Sequence, residues 1–150
     1  MTDWTHCEEE LFEIDLPSAW FVVSRRPDGI VARSAGMESS AVSVVVTRVP
    51  RPEASEITGV FSVQRAALAK TLSEYQELEQ NEESGSDPPR QRLLASFAQG
   101  VFGMTMEQVH LALPEGILVG TAVAENEVFV AHADVIETIL GSFKPAASSG

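Results

Sequence analysis

The stretch from Arg90 to Phe143 limits the possible folds of this chain more than any other. It opens with the half-alternating run Leu93-Leu94-Ala95-Ser96-Phe97-Ala98 and turns at Gly100-Val101-Phe102-Gly103. It continues from Met104 to Leu113, through Pro114-Glu115-Gly116, and on from Ile117 to Val123. Three strands in a meander are the economical reading, because these runs are short and rich in β-branched residues. The Pro-Glu-Gly sequence suits a hairpin loop in which glycine is free to take positive φ. The period then changes: Val135, Ile136, Ile139, Leu140 and Phe143 recur at helical spacing and form one apolar stripe. A sheet closed by a C-terminal helix is therefore expected.

The upstream segments read as material packed around that sheet. Residues 1–10 are polar and acidic and are expected to lead in loosely. Leu11 to Leu16 alternates as a strand with Phe12, Ile14 or their neighbours facing inward, and Pro17 ends it. Trp20 to Val23 and Gly29 to Arg33 give two further extended segments on either side of a turn-rich Arg25-Arg26-Pro27-Asp28 cluster, and Ser34 to Ser40 reads as a loop. Ala41 to Thr47 is the clearest strand, with valines on both parities implying cover on both faces. After Pro50 and Pro52, Ser55 stands as an N-cap for a long helix of about 19 residues marked by Ile57, Val60, Phe61, Leu68 and Leu72. Gln76 to Gln80 reads as a polar edge strand, Asn81 to Pro89 as a flexible loop, Val128-Phe129-Val130 as a minor apolar patch, and Asp134 as a cap of the last helix. Strands, a helix, strands and a final helix make an α+β chain, an antiparallel sheet flanked by a long central helix and a C-terminal helix. The expected organisation is a loose lead over 1–10, one domain over 11–144 and a tail over 145–150.

Composition removes several function classes. The chain has 150 residues, of which 44% are hydrophobic and 21% charged, enough for one sizeable core. Its 22 acidic residues against 10 basic ones give a net charge of -12, which disfavours nucleic acid as a partner. One cysteine, Cys7, allows no intrachain disulfide. The first ten residues lack the basic start and apolar core of a secretory signal, and no apolar run approaches the roughly 20 residues that span a bilayer. A cytoplasmic location is expected.

The element order and three short motifs resemble the PsbP-like superfamily, which contains the photosystem extrinsic protein, the Ran-binding nuclear transport factor, the DcrB proteins and the EagR chaperones of type VI secretion. Ile14-Asp15-Leu16-Pro17-Ser18-Ala19-Trp20 is similar to the family's early strand ending in LP-x-x-W. Thr47-Arg48-Val49-Pro50 is similar to its passage from strand to helix, and Ile139-Leu140-Gly141-Ser142-Phe143 to its terminal IL-x-SF. The resemblance covers residues 11–144. It implies an α-β-α sandwich, an absence of enzymatic chemistry and a role in binding proteins, and it carries over no individual functional residue.

Read on their own chemistry, the residues offer few sites. His6 and Cys7 stand beside Glu8, Glu9 and Glu10, but adjacent side chains on a loose terminus make a poor metal site, and no metal or other cofactor is expected. The acidic run also opposes a reactive Cys7 thiolate. No glycine-flanked serine elbow, dinucleotide loop or pocketed carboxylate pair accompanies them. Met104, Met106, Gln108 and His110 share one strand parity, a soft and polar row that is either a partly buried strand under a helix, with His110 satisfied by hydrogen bonds, or the candidate protein-binding surface. The reading is a non-catalytic protein-binding module, an adaptor or chaperone for a secreted or membrane-associated client, with a homodimer as a further possibility. The alternatives are a small acidic secretion chaperone of another fold, which would start with a helix, and a ligand-binding or enzymatic domain with a pocket near His110.

Overall fold

Alternation of apolar and polar residues produces strands along most of the chain. A computed structural model describes residues 3–26, 29–34, 41–51, 56–83 and 85–146. Strands β1 (Trp4–Glu8), β2 (Phe12–Pro17), β3 (Phe21–Arg26), β4 (Gly29–Arg33) and β5 (Ser43–Val49) precede helix α1 (Ile57–Thr71). Strands β6 (Ser73–Glu83), β7 (Arg90–Gln99), β8 (Phe102–Leu113) and β9 (Gly116–Glu125) follow. Helices α2 (Asn126–Ala131) and α3 (Ala133–Ser142) and the short strand β10 (Lys144–Pro145) complete the chain.

Two antiparallel sheets result. The larger has the order β3-β4-β5-β9-β8-β7-β6, and the smaller has the order β1-β2-β10. The meander expected from 90 to 123 is present as β7, β8 and β9, with β7 paired to β8 from Arg90↔Leu111 to Gln99↔Phe102. Gly100, at φ 62°, makes the first turn, where a side chain would strain the backbone. β9 then joins β5 through seven matched residues, Ser43↔Val123 to Val49↔Ile117, and so links the N-terminal strands to the meander.

One face of the large sheet is covered by α3 and the small sheet together. Phe12, Ile14 and Leu16 from β2 meet Ile136, Ile139 and Leu140 from α3 over Val44, Val109, Leu118 and Ala122. Phe143, just after α3, closes this layer. Its ring lies edge-on to Phe12 at 5.9 Å between centroids. It also rests on Gly120, where an added Cβ would come within 2.9 Å of the ring. Ser142 joins the same layers by hydrogen bonding, accepting the Asp15 backbone N–H at 2.8 Å and donating to the Ile139 carbonyl at 2.6 Å. On the opposite face, α1 places Val60 against Ile117 and Val119 and stacks Phe61 on His110.

Several expectations need correction. The fold is strand-rich, and α1 has 15 residues rather than about 19, of which only Val60 and Phe61 are buried. Ser55, expected as its cap, lies outside the described residues; Glu56 occupies the N-cap position without a side-chain bond. Trp4–Glu8 is not a loose lead, because every residue of it pairs with β2. The loop expected from Asn81 is shorter, since β6 continues to Glu83 and β7 starts at Arg90. Val128-Phe129-Val130 lies in α2, and α3 is preceded by His132 at its N-cap, with Asp134 in its first turn rather than capping it. Lys144 and Pro145 pair with β2, whereas 147–150, the rest of the expected tail, lie outside the described residues.

The Gly120–Phe143 contact generates a double-mutant test. Phe143→Ala is expected to destabilise the fold by about 3–5 kcal/mol and Gly120→Ala by about 1–3 kcal/mol in urea unfolding. The double variant is expected to lose less than the sum, because the cavity left by the ring accepts the new methyl group.

Candidate functional site

The row Met104, Met106, Gln108 and His110 lies on β8, which is paired on one side to β7 and on the other to β9. Met106, Gln108 and His110 are buried, at 3%, 8% and 1% exposure, and Met104 is half-buried. The row is therefore not the open contact surface that its residue types imply. Its side chains form a hydrogen-bonded seam beneath α1. Gln91 Nε2 donates to His110 Nδ1 at 2.7 Å, His110 Nε2–H donates to Gln108 Oε1 at 2.9 Å, and Gln108 Nε2 donates to Thr121 Oγ1 at 2.9 Å. This chain of donors requires a neutral imidazole. Burial, reinforced by the nearby Arg65 guanidinium, pushes the His110 pKa down to about 4. Phe61 stacks over the ring at 6.4 Å, so a ligand has no access to it in this conformation.

The exposed features lie elsewhere. The large sheet ends in two edges of opposite character. β6 carries Glu74, Glu77, Glu79, Glu82 and Glu83, which oppose pairing with a further strand. β3 instead exposes Phe21, Val22 and Val23 in succession, Phe21 at 59% and Val23 at 61%. A bulge between Val22 and Ser24 interrupts its pairing with β4. A third feature is an open cleft of about 700 Å³ at one end of the sheet, where Arg51, Arg90 and Lys144 surround Leu111, Leu113 and Phe143.

The N-terminal residues form a tight polar cluster. Pairing of β1 with β2 sets His6 opposite Asp15 and Glu8 opposite Glu13, all on the outer face of the small sheet. His6 Nδ1 is 2.5 Å from Asp15 Oδ1, and His6 Nε2 is 2.8 Å from Glu13 Oε1 and 3.6 Å from Glu8 Oε1. The hydrogen bonds to Asp15 and then Glu13 raise the His6 pKa above its ordinary value. Ligand atoms of His6, Glu8 and Glu13 all lie within 4.8 Å of one another, a spacing at which they could hold a metal ion. Cys7 points the opposite way, into the core, and burial pushes its thiol pKa up, so it belongs neither to this cluster nor to thiolate chemistry.

Sequence reasoning missed the β3 edge because Trp20 to Val23 reads as an ordinary extended segment until its place in the sheet is known. It also set His6 aside as part of a loose terminus, because its partners Glu13 and Asp15 stand seven and nine residues away. The available signal was the second alternating segment, Leu11 to Leu16, able to pair back onto residues 4–8.

The buried histidine has a pH consequence. The unfolded chain takes up a proton near the ordinary histidine value of about 6.5, and the folded chain only near 4, so this contribution is complete above the first value and is lost as pH falls towards the second. Denaturant titrations should show wild type losing up to about 3 kcal/mol more than His110→Gln across that window.

No protein-family model matches the chain, and no curated protein sequence does. Solved structures match it in fold. The Ran-binding protein Mog1p of Saccharomyces cerevisiae aligns with a TM-score of 0.65 and 9% identity, over 96% of this chain and 96% of Mog1p. LpqN of Mycobacterium tuberculosis, described as involved in cell envelope biogenesis, aligns with a TM-score of 0.67 and 12% identity, over 97% and 91%. Cyanobacterial PsbP from Synechocystis aligns with a TM-score of 0.64 and 10% identity, over 97% and 94%. With its two antiparallel sheets, its closing α3 and this coverage, the chain has the α+β fold shared by PsbP and Mog1.

Proposed function

We propose that this protein is a non-catalytic protein-binding module that captures an extended segment of a client along β3. The observation that carries the reading is the contrast between the two edges of the large sheet. An unpaired edge strand offers a row of backbone N–H and C=O groups to another chain, and most proteins blunt such edges with charge. β6 is blunted by five glutamates. β3 presents Phe21, Val22 and Val23 to solvent instead, and ends in exposed Arg26. A client segment added there gains main-chain hydrogen bonds from the edge and apolar burial from these side chains. Arg26 favours a client with an acidic residue beside its apolar run. The Ran-binding activity named for Mog1p supports protein binding on this fold, although fold alone does not fix function.

An adaptor or chaperone for a secreted or membrane-associated client is the form this role takes in our reading, acting in the cytoplasm. The net charge of -12 supports dispersal of the free protein while an apolar edge stays exposed. Among the described residues no helix is long and apolar enough to cross a membrane. A secretion chaperone of a different fold is disfavoured, because the described N-terminal segment forms β1 rather than a helix. A pocket at His110 is disfavoured by the burial of that ring.

Peptide-display selection against the whole protein tests this reading. Enrichment of extended apolar sequences bearing an acidic residue is expected. Val23→Lys, at an exposed position, should weaken the selected peptides at least tenfold, equivalent to about 1.4 kcal/mol, with the melting temperature unchanged. Full binding to Val23→Lys would overturn the assignment of β3. Concentration-dependent dimers that Val23→Lys abolishes would also overturn it, by making a second copy the occupant of the edge.

A further inference from the structure

A loose terminus cannot preorganise a metal site, but Trp4–Glu8 is a paired strand, and its pairing brings donors together that are distant in sequence. We infer that His6, Glu8 and Glu13 form a binding site for a divalent transition ion of the zinc type, with Asp15 as the positioning residue behind the imidazole.

The donor set is the first argument. One imidazole nitrogen and two carboxylates are a ligand combination zinc accepts, and three protein ligands leave a fourth position for water or for a donor from a partner. Such a set has less appeal for calcium, which takes six to eight oxygens.

Spacing is the second. In a tetrahedral zinc site with ligands about 2.0–2.2 Å from the metal, neighbouring ligand atoms are about 3.3–3.6 Å apart. His6 Nε2 and Glu8 Oε1 are 3.6 Å apart, and His6 Nε2 and Glu13 Oε1 are 2.8 Å apart. Binding therefore needs the second pair to open by about half an ångström and the two carboxylates, now within 4.8 Å of each other, to settle to tetrahedral spacing as the ion replaces the Nε2 proton.

The third argument is the arrangement behind the ring. A ligating histidine commonly donates its other N–H to a carboxylate, which fixes the tautomer and ring direction and strengthens the metal bond. Asp15 accepts from Nδ1 at 2.5 Å and leaves Nε2 facing Glu8 and Glu13. Asp15 is itself anchored, because its backbone N–H bonds the Ser142 hydroxyl at the end of α3. Glu13 is largely buried, whereas Glu8 is open to solvent and provides the entry side. Lys144 stands opposite Glu13 on β10 and adds a positive charge to this sheet.

Calorimetric titration of Zn²⁺ into the whole protein at about pH 7, together with the visible absorption of the Co²⁺ form, tests the inference. One ion per chain and a four-coordinate Co²⁺ spectrum are expected. Glu8→Gln, at an exposed position with no packing role, should weaken Zn²⁺ at least tenfold, and His6→Ala should abolish binding. Asp15→Asn should keep the stoichiometry and the melting temperature of the metal-free protein while lowering affinity roughly 10- to 100-fold. Glu10→Gln, outside the donor set, should leave affinity unchanged. No saturable binding by wild type, or wild-type affinity in both Glu8→Gln and His6→Ala, would overturn the site.

Discussion

The packing of Phe143 onto Gly120 holds the layers of this protein in register. Gly120 lies in β9, at the middle of the large sheet, and its missing side chain opens a gap into which the ring fits. The same ring meets Phe12 of β2 edge-on, so one side chain touches the large sheet and the small one and terminates α3. An aromatic at this junction buries more apolar area than any aliphatic alternative and fixes an orientation through its edge-to-face partner. Ser142, one residue earlier, adds a directional tie by accepting the Asp15 N–H. Apolar burial therefore supplies most of the attachment, and the hydrogen bond sets its register.

The outer face of the small sheet depends on that attachment. β2 is buried on its inner side by Phe12, Ile14 and Leu16, which leaves Glu13 and Asp15 on the outer side by simple alternation. β1, with Cys7 alone buried, then lays His6 and Glu8 beside them. A polar cluster is thus built on strands whose position the core determines. The two outer edges of the large sheet follow a different logic. Glutamates repel a further strand from β6, and the apolar run of β3 leaves the other edge receptive.

Much of the architecture was legible in the residues. The meander from Arg90 to Val123 was marked by alternating runs and by Gly100 and Pro114-Glu115-Gly116, and the closing helix by Val135, Ile136, Ile139 and Leu140. The short motifs around Ile14–Trp20 and Ile139–Phe143 pointed to the fold that Mog1p and PsbP share. The soft row on β8 left two readings open, because Met106, Gln108 and His110 suit a contact surface and a buried polar seam equally well by residue type. Only α1, laying Phe61 across His110, decides between them. Helical spacing also overstated α1, in which only Val60 and Phe61 are fully buried and Ile57 packs beside them half-buried.

Local pattern determined where the chain extends, where it turns and which side of each strand is apolar, because those properties depend on neighbours within a few residues. It determined the acidic balance and the absence of a disulfide within the chain. Tertiary structure decided which strands became edges, which polar side chains were buried and which distant donors met. Phe21 to Val23 is exposed because, among the described residues, β3 pairs only with β4, and His6 reaches Glu13 and Asp15 because β1 folds back on β2. Strand pairing joins residues without regard to their separation in sequence, so such meetings are properties of the assembled sheet alone.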